Sequence, residues 1–232
     1  MTSRAQLYAY AAKPDLDGLA VHEIFDKIYR EQAWNIHSDE SVSGEGSTLT
    51  QTRTIAAALP DILRQLDIRS ILDIPCGDFN WMRTVDLGAI RYIGADIVED
   101  LVRRNGQRFA SDLRTFLHLD LLCDDLPAAD LVFCRDCLVH LSFEDIRKAL
   151  ANIRRNGAKF LATTHFTEET QNLDINTGGW RPLNLQLHPF LFPDPVLLVN
   201  EHCTEVDGAF ADKCIAVWDV RSLPSVETGG HD

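Results

Sequence analysis

At 232 residues, of which 45% are apolar, the chain is predicted to form one α/β domain with a modest elaboration. Its formal net charge of −13 repels phosphate backbones and argues against a nucleic-acid partner. The six cysteines lack the dense spacing of secreted disulfide proteins, which predicts a cytoplasmic protein. No apolar run reaches the roughly 18 residues of a membrane helix, so we expect no membrane partner.

Residues 1–66 are predicted to form an N-terminal helical segment and a covering loop. Apolar residues recur with helical spacing over residues 19–33, whereas residues 34–47 are polar and interrupted by glycine, which is typical of a loop. Ser47 is placed to cap a second helix through its hydroxyl. Pro60 is expected to kink or split that helix, because proline lacks the N–H that a helix interior requires.

Residues 67–222 are predicted to form the main domain, in which strands alternate with helices. Ser142 and Gly157 flank one helix as its expected caps. This alternation is typical of a mainly parallel sheet with right-handed crossovers. The expected strands are 70–74, 91–96, 114–119, 130–134 and 159–164, and the expected helices lie near 79–87, 98–110 and 143–156.

The end of the chain departs from this alternation. Residues 167–195 contain four prolines and no helical period, and long irregular loops in compact domains tend to be functional, so we expect a substrate lid there. The strands expected at 196–200 and 214–218 leave no room for a crossover helix and should pair as an antiparallel hairpin at the sheet edge. The fold class is therefore α/β, with a seven-stranded, mainly parallel sheet, helices on both faces and a flexible tail at 223–232.

Three successive strands each end in an acidic residue, and this is the main functional signal. Asp73 ends the first strand, Asp96 the second and Asp120 the third. Aspartate also favours turns for purely local reasons, so a single case would carry little weight. Three strands that each end in aspartate place their carboxylates together at the sheet edge where α/β proteins bind nucleotide-like cofactors.

Together with the glycine-containing turn Pro75-Cys76-Gly77-Asp78, these strand ends resemble the S-adenosylmethionine site of class I methyltransferases. Four longer segments resemble a bacterial subgroup of that family, whose members often occur near polysaccharide or capsule biosynthesis genes. The likeness covers most of residues 30–220, and the segments are residues 34–52, 73–82, 134–142 and 179–185.

The resemblance implies that S-adenosylmethionine is the cofactor. Asp96 would accept hydrogen bonds from the ribose hydroxyls, and Asp120 would accept one from the adenine amino group. Asp73 would lie under the methionine end, where Gly77 allows close approach of the backbone. The remaining expected contacts are Pro75, Cys76, Asp78, Ile97, Leu121, Arg135 with its side chain free for the methionine carboxylate, and Trp34, Ser47 and Gln51 from the covering loop.

Two histidines follow strands at the expected site and are candidate catalytic bases. His140 is the first candidate, because an imidazole with a pKa near 6.5 suits proton removal at neutral pH. Asp136 lies four positions earlier and is expected to orient its ring. His165 is the second candidate base or a substrate contact. For both histidines, an ordinary buried structural role is the alternative.

The loop 167–195 carries the candidate substrate contacts. Trp180 offers a stacking surface, Arg181 a guanidinium fork for phosphate or carboxylate, and Asn184 and His188 further polar groups. A proline-rich edge covering, with Arg181 in a structural ion pair, is the alternative. We expect no metal site, because the pair Cys134 and Cys137 has no second pair elsewhere.

These observations predict methyl transfer to a small polar acceptor, expected to be a hydroxyl of a sugar or of a nucleotide-linked precursor. Two alternatives stay open. One is a protein that binds S-adenosylmethionine without turnover. The other is a nucleotide-dependent oxidoreductase on a similar sheet, which is disfavoured because Pro75 and Phe79 stand where a dinucleotide turn needs glycines.

Overall fold

The computed structural model describes residues 15–35 and 39–225. Part of the predicted covering segment, residues 36–38, and most of the predicted tail lie outside the described residues. None of the helices within the described ranges is long and apolar enough to span a membrane.

A seven-stranded sheet with the order β3-β2-β1-β4-β5-β7-β6 forms the centre of the molecule. Neighbouring strands from β3 to β5 are parallel, and β7 is antiparallel to both β5 and β6. The strands are β1 Ser70–Asp73, β2 Arg91–Asp96, β3 Arg114–His118, β4 Leu131–Cys134, β5 Phe160–Phe166, β6 Leu197–Asn200 and β7 Lys213–Asp219.

The predicted terminal hairpin is confirmed, but its antiparallel strand is not the edge strand. Strand β7 lies between β5 and β6, and nearly all of its residues are buried, whereas β6 is half-buried at the edge. The sequences explain this order. Strand β7 is apolar on both faces, with Ile215 and Val217 on one and Ala216 and Trp218 on the other, so both of its faces must be covered, as they are in the interior of a sheet that is packed on two sides.

In residues 15–35 and 39–225, four helices of at least ten residues flank the sheet, and their bounds are α1 Val21–Arg30, α2 Leu49–Gln65, α3 Glu99–Phe109 and α4 Phe143–Asn156. Helix α4 has the predicted limits: Ser142 Oγ accepts a hydrogen bond from the Asp145 amide, and Gly157 ends the helix with a φ of 79°. Helices that cover both faces of a parallel sheet bury its two apolar surfaces, as the fold class requires.

One predicted helix cap was wrong, and one predicted split of a helix does not occur. Thr48, not Ser47, caps α2, because its Oγ1 accepts from the Gln51 amide. Helix α2 also continues through Pro60 as one helix, with Leu59 and Ile62 buried on either side of the proline. Packing against the sheet thus outweighs the hydrogen bond that proline cannot make.

The helix predicted near residues 79–87 is reduced to a single 3-10 turn, Met82–Thr84. Two local features prevent a longer helix. Phe79 adopts a positive φ of 59°, and the Asp78 carboxylate accepts from the Asn80 amide in a turn. The chain is therefore held close to the end of β1, which positions the site described next.

Candidate functional site

A cavity lies at the carboxyl edge of the sheet, where the parallel strands end. Asp73 at the end of β1, Asp96 at the end of β2 and Asp120 beyond β3 all line it. Their predicted neighbours line it as well: Pro75, Cys76, Gly77, Asp78, Ile97 and Leu121. The structure thus brings together the strand-end residues that the sequence placed at one edge.

The turn after β1 is in direct contact with the covering loop, residues 41–47. Gly77 has a φ of 54°, and a Cβ at this position would lie 2.3 Å from Ser43 Oγ. Ser43 Oγ accepts from the Asp78 amide at 2.9 Å, and Asp78 Oδ2 accepts from the Val42 amide at 3.0 Å. Only glycine allows this approach, so the turn and the loop form one wall of the cavity.

Burial decides the protonation of the two carboxylates beneath this wall. Burial raises the pKa of Asp73 to about 7, although the Tyr92 hydroxyl donates to its Oδ2 at 2.5 Å. Burial also raises the pKa of Asp96 to about 6. The backbone amides of Val98 and Gly77, which both donate to its carboxylate at 2.9 Å, lower the pKa but do not outweigh burial. Both groups hold their protons more tightly than a surface carboxyl does.

Helix α1 covers the cavity, which the sequence did not predict. Phe25 and Tyr29, one turn apart, line it, and the Tyr29 hydroxyl donates to Asp100 Oδ2 at 2.9 Å, at the start of α3. Trp34 lines it as predicted, and its buried Nε1 makes no hydrogen bond to any described residue. Two aromatic residues at helical spacing in residues 19–33 were the available signal.

His140 lines the cavity with a defined tautomer. Its Nδ1 lies 2.8 Å from the Gly179 carbonyl, which can only accept, so Nδ1 carries the proton and Nε2 is the acceptor. The ring packs on Trp34, with centroids 4.5 Å apart. Burial lowers the pKa of His140 to about 4, so the imidazole is neutral at pH 7.

The expectation that Asp136 orients His140 was wrong. Asp136 has a φ of 51° and does not continue a helix toward the histidine. Its Oδ2 accepts from Lys213 Nζ at 2.7 Å, and its Oδ1 accepts from Thr164 Oγ1 at 3.0 Å. The Gly179 carbonyl orients the imidazole instead.

Asp136 belongs to a buried ionic cluster, which also contains Arg135, Glu201, Glu205 and Lys213. Arg135 Nε donates to Glu201 Oε1 at 2.7 Å and its Nη1 lies 3.0 Å from Asp136 Oδ2. Its Nη2 donates to the Gly46 carbonyl in the covering loop at 2.9 Å. The Arg135 side chain is therefore engaged, not free for a methionine carboxylate as expected.

The two cations of this cluster remain charged despite their burial. Burial alone would lower the pKa of Lys213, but the carboxylates of Asp136, Glu201 and Glu205 together outweigh it and the pKa is raised. Burial of Asp136 would raise its pKa. The neighbouring cations Arg135 and Lys213 lower it by more, so the pKa of Asp136 is lowered on balance. The sequence carried one signal for the cluster, since a lysine at the start of an otherwise apolar strand must find a buried partner.

Two predicted residues lie outside the cavity wall. His165 is buried inside the sheet layer, where its Nδ1 accepts from the Leu185 amide at 3.2 Å and its ring meets Trp218 edge-on. The Gln51 side chain donates to Thr204 Oγ1 at 2.9 Å. His165 has the structural role that was its alternative.

Three of the four residues predicted to bind substrate are also outside the cavity wall. Arg181 is buried and donates to the backbone carbonyls of Leu173, Leu138 and Leu141, so its guanidinium is not free for a phosphate. Asn184 donates to the Glu169 carbonyl, and His188 is exposed. The sequence could not separate these roles, because an arginine that binds backbone carbonyls has no motif of its own.

Trp180 is the substrate candidate that does line the cavity. Its ring centroid lies 4.9 Å from that of Phe210 and 6.0 Å from that of Phe166, and both of these rings line the cavity as well. Ser47 of the covering loop lines the cavity as well. Trp180, Phe166 and Phe210 together form an aromatic wall of the cavity.

No protein-family model matches the sequence, and no curated protein matches it. Solved structures do. The fold is similar to that of 1,6-didemethyltoxoflavin-N1-methyltransferase from Burkholderia thailandensis, with bound 1,6-didemethyltoxoflavin and S-adenosylhomocysteine, at a TM-score of 0.59 and 18% identity over 89% of this chain and 92% of that chain. This chain has the fold of class I S-adenosylmethionine-dependent methyltransferases.

Two further structures show the same fold. The N-methyltransferase NodS from Bradyrhizobium japonicum, in complex with S-adenosylhomocysteine, gives a TM-score of 0.58 and 16% identity over 85% of this chain and 98% of that chain. Human N-acetylserotonin methyltransferase, in complex with S-adenosylmethionine, gives a TM-score of 0.55 and 16% identity over 90% of this chain. The match covers 63% of the human chain. At these identities the likeness establishes the fold.

Proposed function

We propose that this chain transfers a methyl group from S-adenosylmethionine to a small polar acceptor. The observation that carries the proposal is the convergence of Asp73, Asp96 and Asp120 on one cavity at the carboxyl edge of a methyltransferase-like sheet. The three similar structures, each solved with S-adenosylmethionine or S-adenosylhomocysteine, support the same cofactor here.

The residues of the cavity suit this cofactor chemically. Carboxylates at the ends of β2 and β3, Asp96 and Asp120, would accept from the ribose hydroxyls and the adenine amino group. The turn at Gly77 presents backbone without a side chain, and Asp73 beneath it would hold the ammonium group. Trp34 Nε1 supplies a buried donor that no described residue uses.

The bound cofactor would supply a methyl group already activated by a sulfonium, so the protein has to position the acceptor and remove its proton. We assign that proton transfer to His140. Its Nε2 lone pair is available because Nδ1 donates to the Gly179 carbonyl, and its neutral form predominates at pH 7. The Gly179 carbonyl would also stabilise the imidazolium that forms.

For the acceptor we propose a hydroxyl of a sugar or of a nucleotide-linked precursor. Support comes from the sequence segments that resemble methyltransferases associated with polysaccharide biosynthesis. The similar structures include N-methyltransferases as well, so the nature of the acceptor atom rests on this argument alone.

Isothermal titration with S-adenosylhomocysteine tests the cofactor proposal. We expect wild-type binding that is weakened at least about tenfold, or about 1.4 kcal/mol, in Asp96→Asn, because the substitution removes the charge that accepts the ribose hydroxyls. Asp61→Asn, at an exposed carboxylate of α2, is the matched control and should bind like wild type. Failure of wild type to bind, together with binding of NADH, would replace this proposal by the oxidoreductase alternative.

A further inference from the structure

The sheet order divides the cavity into two ends. The strands β3, β2 and β1 lead to the three aspartates assigned to the cofactor, whereas the ionic cluster and the aromatic wall lie at the ends of β4, β5 and β7 and in the segments that connect β5, β6 and β7. We call the second part the acceptor end and define it by Asp136, Phe166, Trp180, Glu205, Phe210 and Lys213. His140 follows β4 and lies at this end as well.

No free cation lines the cavity among residues 15–35 and 39–225. Apart from the neutral His140, the basic residues in its walls are Arg135 and Lys213, each with a side chain only 5% exposed. The Arg135 guanidinium is bound by Glu201, Asp136 and the Gly46 carbonyl. Lys213 Nζ lies 2.7 Å from Asp136 and 3.6 Å from Glu201.

The cluster also carries more negative than positive charge. Its three carboxylates, Asp136, Glu201 and Glu205, outnumber its two cations by one. A phosphate placed against this surplus would lose its hydration without gaining a guanidinium fork or an ammonium, which makes its burial unfavourable. The acceptor end therefore disfavours phosphorylated molecules, including nucleotide-linked ones.

The same groups suit an uncharged or cationic molecule rich in hydrogen-bond donors. Glu205 lines the cavity, and its Oε2 is 3.9 Å from Lys213 Nζ and 3.4 Å from Cys203 Sγ, longer than the 2.7 Å contact between Asp136 and Lys213. Its carboxylate can accept from hydroxyl or ammonium groups. The rings of Trp180 and Phe210 provide an apolar surface for the C–H face of a sugar ring.

We propose that the acceptor is an unphosphorylated sugar or amino sugar, packed against Trp180, and that Glu205 is the residue that determines this specificity. The inference rests on the methyl-transfer function proposed above and narrows its acceptor. It selects the free sugar over the nucleotide-linked precursor, because the latter carries a diphosphate.

Methyl transfer from radiolabelled S-adenosylmethionine to matched pairs of probes tests the proposal. The pairs are glucosamine with glucosamine 6-phosphate, and N-acetylglucosamine with its uridine-diphosphate derivative. We expect methylation of at least one free sugar with a kcat/KM at least about tenfold above that of its phosphorylated partner. Equal or preferred use of the phosphorylated partner would overturn the proposal, and so would methylation of none of the four.

The variant Glu205→Gln tests the specificity residue. It should raise KM for the free sugar at least about fivefold and leave the Kd for S-adenosylhomocysteine within about twofold of wild type. Glu144→Gln, at an exposed carboxylate of α4, is the matched control and should change neither constant. An unchanged KM in Glu205→Gln would remove Glu205 from the proposal.

Titration with S-adenosylhomocysteine and the methyl-transfer assay together distinguish failure of the acceptor assignment from failure of the proposed methyl-transfer function. If wild type binds S-adenosylhomocysteine but methylates the phosphorylated probes best, or none of the probes, only the acceptor assignment fails. If wild type does not bind S-adenosylhomocysteine, the methyl-transfer function itself fails.

Discussion

Burial sets the charge state of the individual side chains in the cavity, and it does so differently for each type. It raises the pKa of Asp73 to about 7 and lowers that of His140 to about 4, because both groups lose hydration of their charged form. Arg135 and Lys213 keep their charges at similar burial because carboxylates lie beside them. A residue type alone therefore does not predict its charge at this site.

The low pKa of His140 leads to a pH prediction. As a base, His140 acts in its neutral form, which predominates above about pH 4, so protonation reduces kcat only as the pH falls toward that value. We expect kcat to show no acidic limb between pH 9 and pH 6. A limb with an apparent pKa near 6.5, measured from kcat against pH, would contradict this assignment.

His140→Gln provides the complementary test of the base. We expect kcat to fall about 100-fold, because a glutamine cannot accept the proton, while the Kd for S-adenosylhomocysteine stays close to wild type. His188→Gln, at an exposed histidine outside the cavity, is the matched control and should keep full activity. Full activity in His140→Gln would require another base.

At the scale of helices and strands, the sequence predicted the elements whose limits are determined by local sequence patterns. Helix α4, with its caps at Ser142 and Gly157, was predicted with its observed limits, and the strand-end aspartates were placed at the right edge. Contacts between distant segments were not predictable in this way. The bonds of Arg181 to three carbonyls and of Arg135 to Glu201 form only after the sheet has assembled, and no sequence spacing specifies them.

The contact between the turn after β1 and the covering loop can be tested by adding one methyl group. Gly77→Ala places a Cβ against Ser43 Oγ, so we expect the Kd for S-adenosylhomocysteine to rise at least about tenfold. Gly88→Ala is a close control, because Gly88 has a φ of 53° but nothing within 4 Å of an added Cβ. Both substitutions carry the same backbone strain, so their difference measures the contact itself.

A second substitution distinguishes the clash from a general loss of structure. In the double variant Gly77→Ala with Ser43→Gly, the Ser43 side chain that meets the new Cβ is absent, so binding should recover part of the way. If the double variant binds no better than Gly77→Ala, the close approach of the loop is not what determines affinity.

Across the whole molecule, the cavity joins parts that belong to different apolar clusters. Helix α1 contributes Ile24 and Ile28 to a small cluster, and its Phe25 packs against both this cluster and the larger one on one face of the sheet. Further links beside the cavity are the hydrogen bond from Tyr29 to Asp100 and the packing of Trp34, which follows α1, on His140. A ligand that fills the cavity would contact α1, the covering loop and the strand ends at once.

This arrangement predicts how S-adenosylhomocysteine changes thermal unfolding. At a ligand concentration of about 100 times Kd, binding to the native state alone stabilises it by about 2.7 kcal/mol. For a domain of this size, that corresponds to a rise in Tm of about 5 to 10 °C, measured by circular dichroism of the sheet and helices. Asp96→Asn should show a markedly smaller shift at the same ligand concentration.

The shift also reports whether the molecule unfolds as one unit. If α1 and the covering loop separate from the sheet before the main transition, the ligand is lost first and the Tm of that transition will not move, even though titration shows binding at 25 °C. A full shift would mean that the small cluster of α1 and the core of the sheet unfold together when the ligand is bound, because only the intact cavity retains it.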